Sequence, residues 1–541
     1  MAAEVPAMIR QAMWVLGLVL TGGALLAPWW FAGQGLPMAL PLTGTGFWDY
    51  PGIATVVGKT LLVGLLSSLL ALACASLIMA RDAVALNPAR NDVGITFAAP
   101  HLAFAIAFLW LFTPYGWFDR LLPFSLPWFE QQSLVTLITI LVIKETPFLV
   151  VMGRQQLGQL PYRQWLLQGQ ALGTAPDRSW WLVVFPAWLR AMRLILFAVA
   201  IYSVAVVDLA QVAGPLNPPL LAPLIVSWQL QFDAVSQSLA AQGTWLLIAF
   251  GVVMVVAFYL LERSLTKLIG WRIGSRVKPA VTRIAAAATH WFSFTARGIF
   301  VVVSCMALVA LVALSLGRGW FYPQVLPQVW NFEHWLERSG DALTLATTTL
   351  GLALATATLA TLMIVWLREW QRYRSYELAD AWLLLALFVP QLSLVVAWLA
   401  SDWSTFMSST YISVLVAHVW FSFAYGYLVY APAERAVTQI HLSVGRSLGY
   451  RYWHSWWWFK RPLLHSALAH CFMVTFLVSV AQYVPTLLLS AGRLPTLTTE
   501  LVAVSSGGEW QLPALYATLL WLIAFSALML TQITRKKRVL R

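Results

Sequence analysis

LLQGQALGTAPDRSWWLVVFPAWLRAM, residues 166–192, decides how this chain is built, because a second version of it, HLSVGRSLGYRYWHSWWWFKRPLLHSAL, stands at residues 441–468. In each, a glycine is followed thirteen residues later by a proline: Gly173 to Pro186, and Gly449 to Pro462. Leu172-Gly173 thus recurs as Leu448-Gly449, and Pro186 as Pro462, at one displacement of 276 residues. Ser203-Val204-Ala205 recurs as Ser479-Val480-Ala481 at the same displacement. Ala213-Gly214 with Ala491-Gly492, and Pro100-His101-Leu102 with Pro390-Gln391-Leu392, recur close to it. One such pair means little; several in the same order predict a duplicated unit.

Outward from these stretches the chain is apolar almost everywhere. Of its 541 residues 60% are hydrophobic and only 10% charged, with a mean hydropathy of +0.74, whereas soluble domains carry about 25% charged residues. Twelve runs have roughly the twenty residues a helix needs to cross hydrocarbon. They fall near 12–31, 54–79, 94–113, 133–152, 188–210 and 244–261, then 298–316, 343–367, 378–400, 411–430, 465–489 and 511–532. Runs of this length predict helices rather than barrel strands. Arg10 to Phe31 is long for a secretory signal and lacks a clear small-x-small site, so it reads as an uncleaved first span. Thirty tryptophans suit a chain with many membrane–water interfaces.

The net charge of +13 accompanies no soluble domain with a basic face, so it speaks for membrane orientation and not for nucleic acid. With the N-terminus inside and the spans alternating, all 34 Lys and Arg except Lys59, Arg120, Lys144, Arg318, Arg338 and Arg493 fall on the cytosolic side. Both quoted loops are then cytosolic, as are both termini. Two six-span halves, 1–265 and 298–541, are joined by a basic linker, 266–297, which contains Gly270, Gly274 and Pro279. Six is even, so the halves cross in the same direction, as in parallel-repeat transporters.

The loops have a readable local physics. A short helix stops at the glycine, which adopts the left-handed conformation. In the first copy Thr174 is placed to cap a second helix, with Asp177 completing a capping box. The proline removes a helix donor and resets direction ahead of the next span. The product is a rigid helix–turn–helix that offers an apolar side to a partner's groove.

At this point the chain resembles binding-protein-dependent ABC transporter permeases, whose cytosolic loop reads EAA, three residues, Gly, nine residues, I-x-LP. The Gly–Pro spacing equals the family's in both copies, and Val183 and Phe185 occupy hydrophobic positions before Pro186. The EAA triplet reads Leu167-Gln168-Gly169 in one copy and Ser443-Val444-Gly445 in the other, and the LP of the second copy is Arg461-Pro462. The fused layout, and the stretch VPTLLLSAGRLPTLTTELVAVSSGGEW (484–510), resemble the iron(III)- and thiamine-type permeases.

The resemblance implies an all-α polytopic membrane protein of the bacterial inner membrane, with about twelve transmembrane helices in two parallel-repeated six-helix permease halves. Its pore would lie between the halves. It implies two partners, an ABC ATP-binding subunit acting as a dimer and a periplasmic solute-binding protein. It also implies alternating-access uptake of a small thiamine-like or iron-like solute. No cofactor and no catalytic residue are implied. The docking loops would use Ala171, Leu172, Gly173, Pro186, Leu448, Gly449 and Pro462. An ion-gradient-driven secondary transporter and a polytopic membrane enzyme are the alternatives; neither accounts for two loops of equal Gly–Pro spacing.

Other residues are weighed on their own chemistry. Lys144 and Glu145 fall inside the fourth run, where charges usually face a partner or a water-filled path. Both readings, translocation path or ion pair with other spans, stay open. Asp208 and Gln211 near the end of the fifth run, and Gln482 at a comparable place in the second half, are treated alike. Gly52 to Thr60 mimics a phosphate loop but has five residues between its glycines and lacks the strand–loop–helix context. His101 and His418 lack partners at metal-ligand spacing and read as hydrogen-bonding residues. Cys74, Cys305 and Cys471 read as packing residues, and Trp456-Trp457-Trp458 as an interfacial anchor.

Overall fold

The computed structural model describes residues 7–38, 46–85, 99–122, 128–231, 233–272, 279–374, 378–437, 440–507 and 509–539. The start of the expected run 94–113 and residues 273–278 of the expected linker lie outside them. In hydrocarbon each backbone N–H and C=O must be satisfied within its own segment, which makes these runs helices. Among the described residues nine helices are long and apolar enough to cross a membrane, or ten if the bent pair Pro176–Ala191 and Arg193–Ala205 is one span. The chain is an all-α polytopic membrane protein. Ile53–Val84, Ser339–Arg374 and Thr410–Ala436 each contain one of the expected runs, and Leu134–Leu157 contains all of 133–152 but its first residue, the cap Ser133. Gly317–Arg318 and Val329–Trp330 form a small antiparallel pair.

Three expected runs are interrupted. The run 378–400 is Asp380–Leu383, a 3₁₀ turn Leu385–Leu387 and the helix Gln391–Leu399. Pro390, extended at ψ 129°, cannot donate to the preceding turn and disfavours helical backbone before it. Pro100 starts His101–Phe112 in the same way, at ψ 138°. In the runs 188–210 and 465–489, the helices Arg193–Ala205 and Arg461–Ala481 end at extended residues, Val206 (φ −64°, ψ 129°) and Gln482 (φ −70°, ψ 114°). Short helices, Asp208–Ala213 and Val484–Ser490, follow. Both breaks are buried, the setting in which a membrane helix can be interrupted without exposing its backbone to lipid.

Contacts divide the chain into two compact units. The first comprises 1–40, 339–500 and 522–541. Within it the helix Ala7–Met38 is held by indole N–H groups: Trp398 donates to the Pro28 carbonyl at 2.8 Å and Trp420 to the Leu25 carbonyl at 3.2 Å. A Cβ at Gly35 would run into the Ala397 backbone, so the two helices meet through the missing side chain.

The second unit comprises 41–338 and 501–521. Here Asp82 ties three helices. Arg154 of Leu134–Leu157 donates to it at 2.7 and 2.9 Å, and Arg297 of Pro279–Leu316 donates both to it and to the Ile78 carbonyl, the latter at 3.2 Å. Each unit also repeats one detail. Thr60 Oγ1 accepts the backbone N–H of Leu221 at 2.9 Å, and Thr349 Oγ1 accepts that of Leu497 at 2.9 Å. Lys59, next to Thr60, donates to the Pro218 carbonyl at 3.1 Å. Lys59 and Thr60 of the phosphate-loop mimic are therefore engaged with the 218–221 segment.

Candidate functional site: two hairpins and two polar clusters

The first hairpin begins with the helix Tyr162–Ala171, which ends in a left-handed Gly173 at φ 74°. The Gly173 N–H donates to the Gln170 carbonyl at 2.9 Å and the Thr174 N–H to the Gly169 carbonyl at 2.8 Å. That pair of bonds is the Schellman closure of a helix. The second hairpin repeats it bond for bond. Helix Ile440–Ser447 leads to Gly449 at φ 82°, whose N–H reaches the Arg446 carbonyl at 3.0 Å, while that of Tyr450 reaches Gly445 at 3.0 Å. The closure leaves the preceding leucine outward: Leu172 is 84% exposed and Leu448 64%. Ala171 is the last helical residue before that turn.

Each hairpin closes through a glycine that the sequence reading left unexplained. A Cβ at Gly169 would collide with Ser179 Oγ, and one at Gly445 would come within 2.7 Å of Ser455 Oγ. Glycine, the smallest choice at the last position of the triplet, lets the two limbs touch. Gly169 with Gly445, Ser179 with Ser455 and Trp180 with Trp456 all recur at the 276-residue displacement. As isolated single residues they carried no visible signal.

The second limb differs from expectation in two respects. Ala175, not Thr174, stands at the cap of Pro176–Ser179 and no side chain caps it. The Thr174 N–H, which a box would pair with the Asp177 side chain, is spent on the Gly169 carbonyl, so the Thr174–Asp177 capping box does not form. The prolines do not set the direction either. A π turn, Trp180–Val184 or Trp456–Lys460, precedes each, and Pro186 and Pro462 sit in the first turn of the helices that follow, Phe185–Ala191 and Arg461–Ala481. The wider π turn accommodates a residue that cannot donate. In the first copy the chain turns by 64° between Ala191 and Arg193, after the proline; in the second, Tyr452–Ala481 runs on as one span.

Basic residues counted above only for orientation turn out to be paired. Arg193 holds Glu262 through two bonds of 2.7 Å. In the first unit Arg368 reaches Glu434 at 2.7 Å, Arg372 reaches it at 3.0 Å, and Lys460 bridges Glu434 and Glu369. Nothing in the residue spacing announced these pairs, because the partners are 26 to 91 residues apart. Of the tryptophan run, Trp456 is buried, while Trp457 and Trp458 are exposed, Trp457 under the Arg461 guanidinium at 4.0 Å.

The path candidates fall into two clusters, one in each unit. In the second unit Lys144 and Glu145 lie midway along Leu134–Leu157, both buried. They do not need each other: Lys144 donates to the Ala99 carbonyl at 2.5 Å, and Glu145 lies 3.2 Å from His101 Nε2. His101 also meets the Tyr202 ring edge-on at 5.8 Å. Asp208 opens the short helix Asp208–Ala213, which packs on the helices carrying His101 and Glu145 and also bears Gln211. In the first unit Gln482 stands at the helix break and donates to the His418 carbonyl at 3.2 Å and to Ser422 Oγ at 3.1 Å. Gln391, at the position corresponding to His101, donates to Gln482 at 3.4 Å. His418 is buried with both ring nitrogens engaged, by Ser479 Oγ at 2.9 Å and Thr486 Oγ1 at 2.8 Å. The duplicated Pro-His-Leu and Pro-Gln-Leu motifs thus start equivalent helices and aim a polar residue at each cluster. One cluster contains two carboxylates, Glu145 and Asp208; the other, as far as it is described, contains none.

The chain is similar to the inner membrane ABC transporter permease protein YnjC of Escherichia coli strain K12, with 29% identity over 442 residues, covering 79% of this chain and 78% of that one. No family model matches the chain, and no solved structure matches it.

Proposed function

We propose that this chain is the permease subunit of an ATP-driven importer of the bacterial inner membrane, fused from two halves, 1–265 and 298–541, through the basic linker 266–297. The observation that carries the reading is the pair of Schellman-closed hairpins 276 residues apart, each presenting an exposed leucine beside a left-handed glycine. Kinship to an ABC transporter permease over most of both chains supports it. In this reading Ala171, Leu172, Gly173 and Pro186, with Leu448, Gly449 and Pro462, belong to knobs that seat in an ATP-binding subunit dimer on the cytosolic side. Both termini face the cytosol and the chain crosses the membrane twelve times. The chain itself is a transport subunit; hydrolysis belongs to the partner.

The path candidates fit the same reading. Interrupted membrane helices are tolerated where they are enclosed by protein or line a cavity, and transporters place such breaks at substrate sites. Lys144, Glu145, Asp208, Gln211 and Gln482 stand at or beside such breaks or the helices packed on them. Uptake by alternating access, delivery by a periplasmic solute-binding protein and a thiamine-like or iron-like cargo complete the proposal.

The test is purification of the tagged chain from its native membranes with a crosslinker attached at Leu172→Cys or Leu448→Cys. Both positions are expected to capture an ATP-binding subunit, and the complex in liposomes to take up solute only with ATP. Uptake that ignores ATP and follows an imposed proton gradient would overturn the reading in favour of a secondary transporter.

A further inference from the structure

Lys460 is the last residue of the π turn Trp456–Lys460 in the second hairpin. Its ammonium is buried, 2.6 Å from Glu369 and 2.8 Å from Glu434. Glu369, on Ser339–Arg374, also accepts the Tyr452 hydroxyl at 2.6 Å, from the other end of the same hairpin limb. Glu434, on Thr410–Ala436, also accepts from Arg368 at 2.7 and 3.1 Å and from Arg372 at 3.0 Å. Arg368 completes its fork on Gln371 at 2.8 Å. Five charges and a phenol therefore join the hairpin to two long helices, with both carboxylates fully buried.

Such a network is a poor source of stability. Desolvating the ions costs as much as their attraction returns, and apolar residues of similar size would hold the site as well. Its distinctive property is geometric: a forked guanidinium and a bridging ammonium accept few alternative arrangements. The first hairpin cannot build it, because the positions 276 residues earlier are Val184 for Lys460 and Pro176 for Tyr452. That hairpin instead precedes the 64° bend, where its counterpart continues as one unbroken span, Tyr452–Ala481.

We infer that Lys460 is a positioning residue that locks the second hairpin to the helices Ser339–Arg374 and Thr410–Ala436, so that the two hairpins pass motion to the membrane unequally. The second moves as one body with its helices; the first pivots at Met192. The inference rests on the reading of 441–468 as a docking hairpin.

Three variants of the full chain in lipid nanodiscs test it by hydrogen exchange over 440–460 and 162–184. Lys460→Met should speed exchange in 440–460 by about tenfold or more, as expected when a local opening becomes easy, and leave 162–184 unchanged. Lys460→Met with Glu369→Gln removes the stranded carboxylate, so the melting temperature should recover while exchange stays fast. Lys460→Arg should restore slow exchange. In the native complex the double variant should keep its ATP-binding subunit yet transport several-fold less solute per ATP. Slow exchange and normal transport per ATP in the double variant would reduce Lys460 to packing and overturn the inference, as would equal loss of protection in both hairpins. The exchange readout needs no ATPase, so absence of an ATP-binding subunit from the complex would count against the docking reading alone.

Discussion

Gly173 and Gly449 do their work by having no side chain in a conformation that penalises one. A Cβ at either position meets nothing within 4 Å, so a substitution there is costly because of the backbone, by about 1 kcal/mol, and not because of a collision. Gly173→Asp and Gly449→Asp should therefore fold, melting within a few degrees of the parent, while ATP hydrolysis is uncoupled from uptake because a charge now stands beside the exposed leucine. Normal uptake by both would remove the hairpins from the coupling scheme. Gly169 and Gly445 make the opposite case, with ordinary backbone and a serine in the way. Gly169→Val and Gly445→Val should separate the hairpin limbs and lower the melting temperature more than Gly173→Ala does. The left-handed glycines were legible from their Gly–Pro spacing. The tight ones were not, since the serine each touches is ten residues away on another limb.

Among elements, the short helix Leu221–Gln229 starts without a side-chain cap of its own, whereas Leu497–Ser505 is capped by Thr496, whose hydroxyl accepts the Thr499 N–H at 3.3 Å. Each borrows a threonine hydroxyl from a long helix, Thr60 or Thr349. Replacing that hydroxyl by a methyl strands a buried N–H at a cost of about 1–3 kcal/mol. Thr60→Val and Thr349→Val should lower the melting temperature in detergent by similar amounts, whereas Thr344→Val, on an exposed helix face, should leave it nearly unchanged. Hydropathy located most of these elements to within a few residues. It overlooked the breaks at Val206 and Gln482, because a single polar residue near the end of a long apolar run does not interrupt the run and only surrounding protein allows the helix to stop.

At the scale of the molecule, Asp82 gathers Arg154 and Arg297 from two other helices of its unit. Asp82→Asn removes a buried carboxylate that two guanidinium groups share, a loss of about 3–5 kcal/mol, and should sharply reduce the amount of folded chain recovered from membranes. Asp82→Asn with Arg297→Met should recover part of it. Orientation is open to a direct check: cysteines introduced at Leu172 and Leu448 should resist an impermeant thiol reagent in intact cells, and one at Trp330 should react. Labelling of either hairpin from outside would reverse the proposed topology.

By itself the sequence determined the membrane class, the helical character of the long runs and the recurrence of the two hairpins. Composition, run length and a constant displacement are properties of the chain that no partner can alter. Tertiary structure decided the rest: which helix each arginine holds, that Lys460 has two carboxylates and Val184 none, and where two spans break. Those depend on which groups meet in a space that water does not reach, where an ion or an open backbone is tolerated only if another part of the chain answers it.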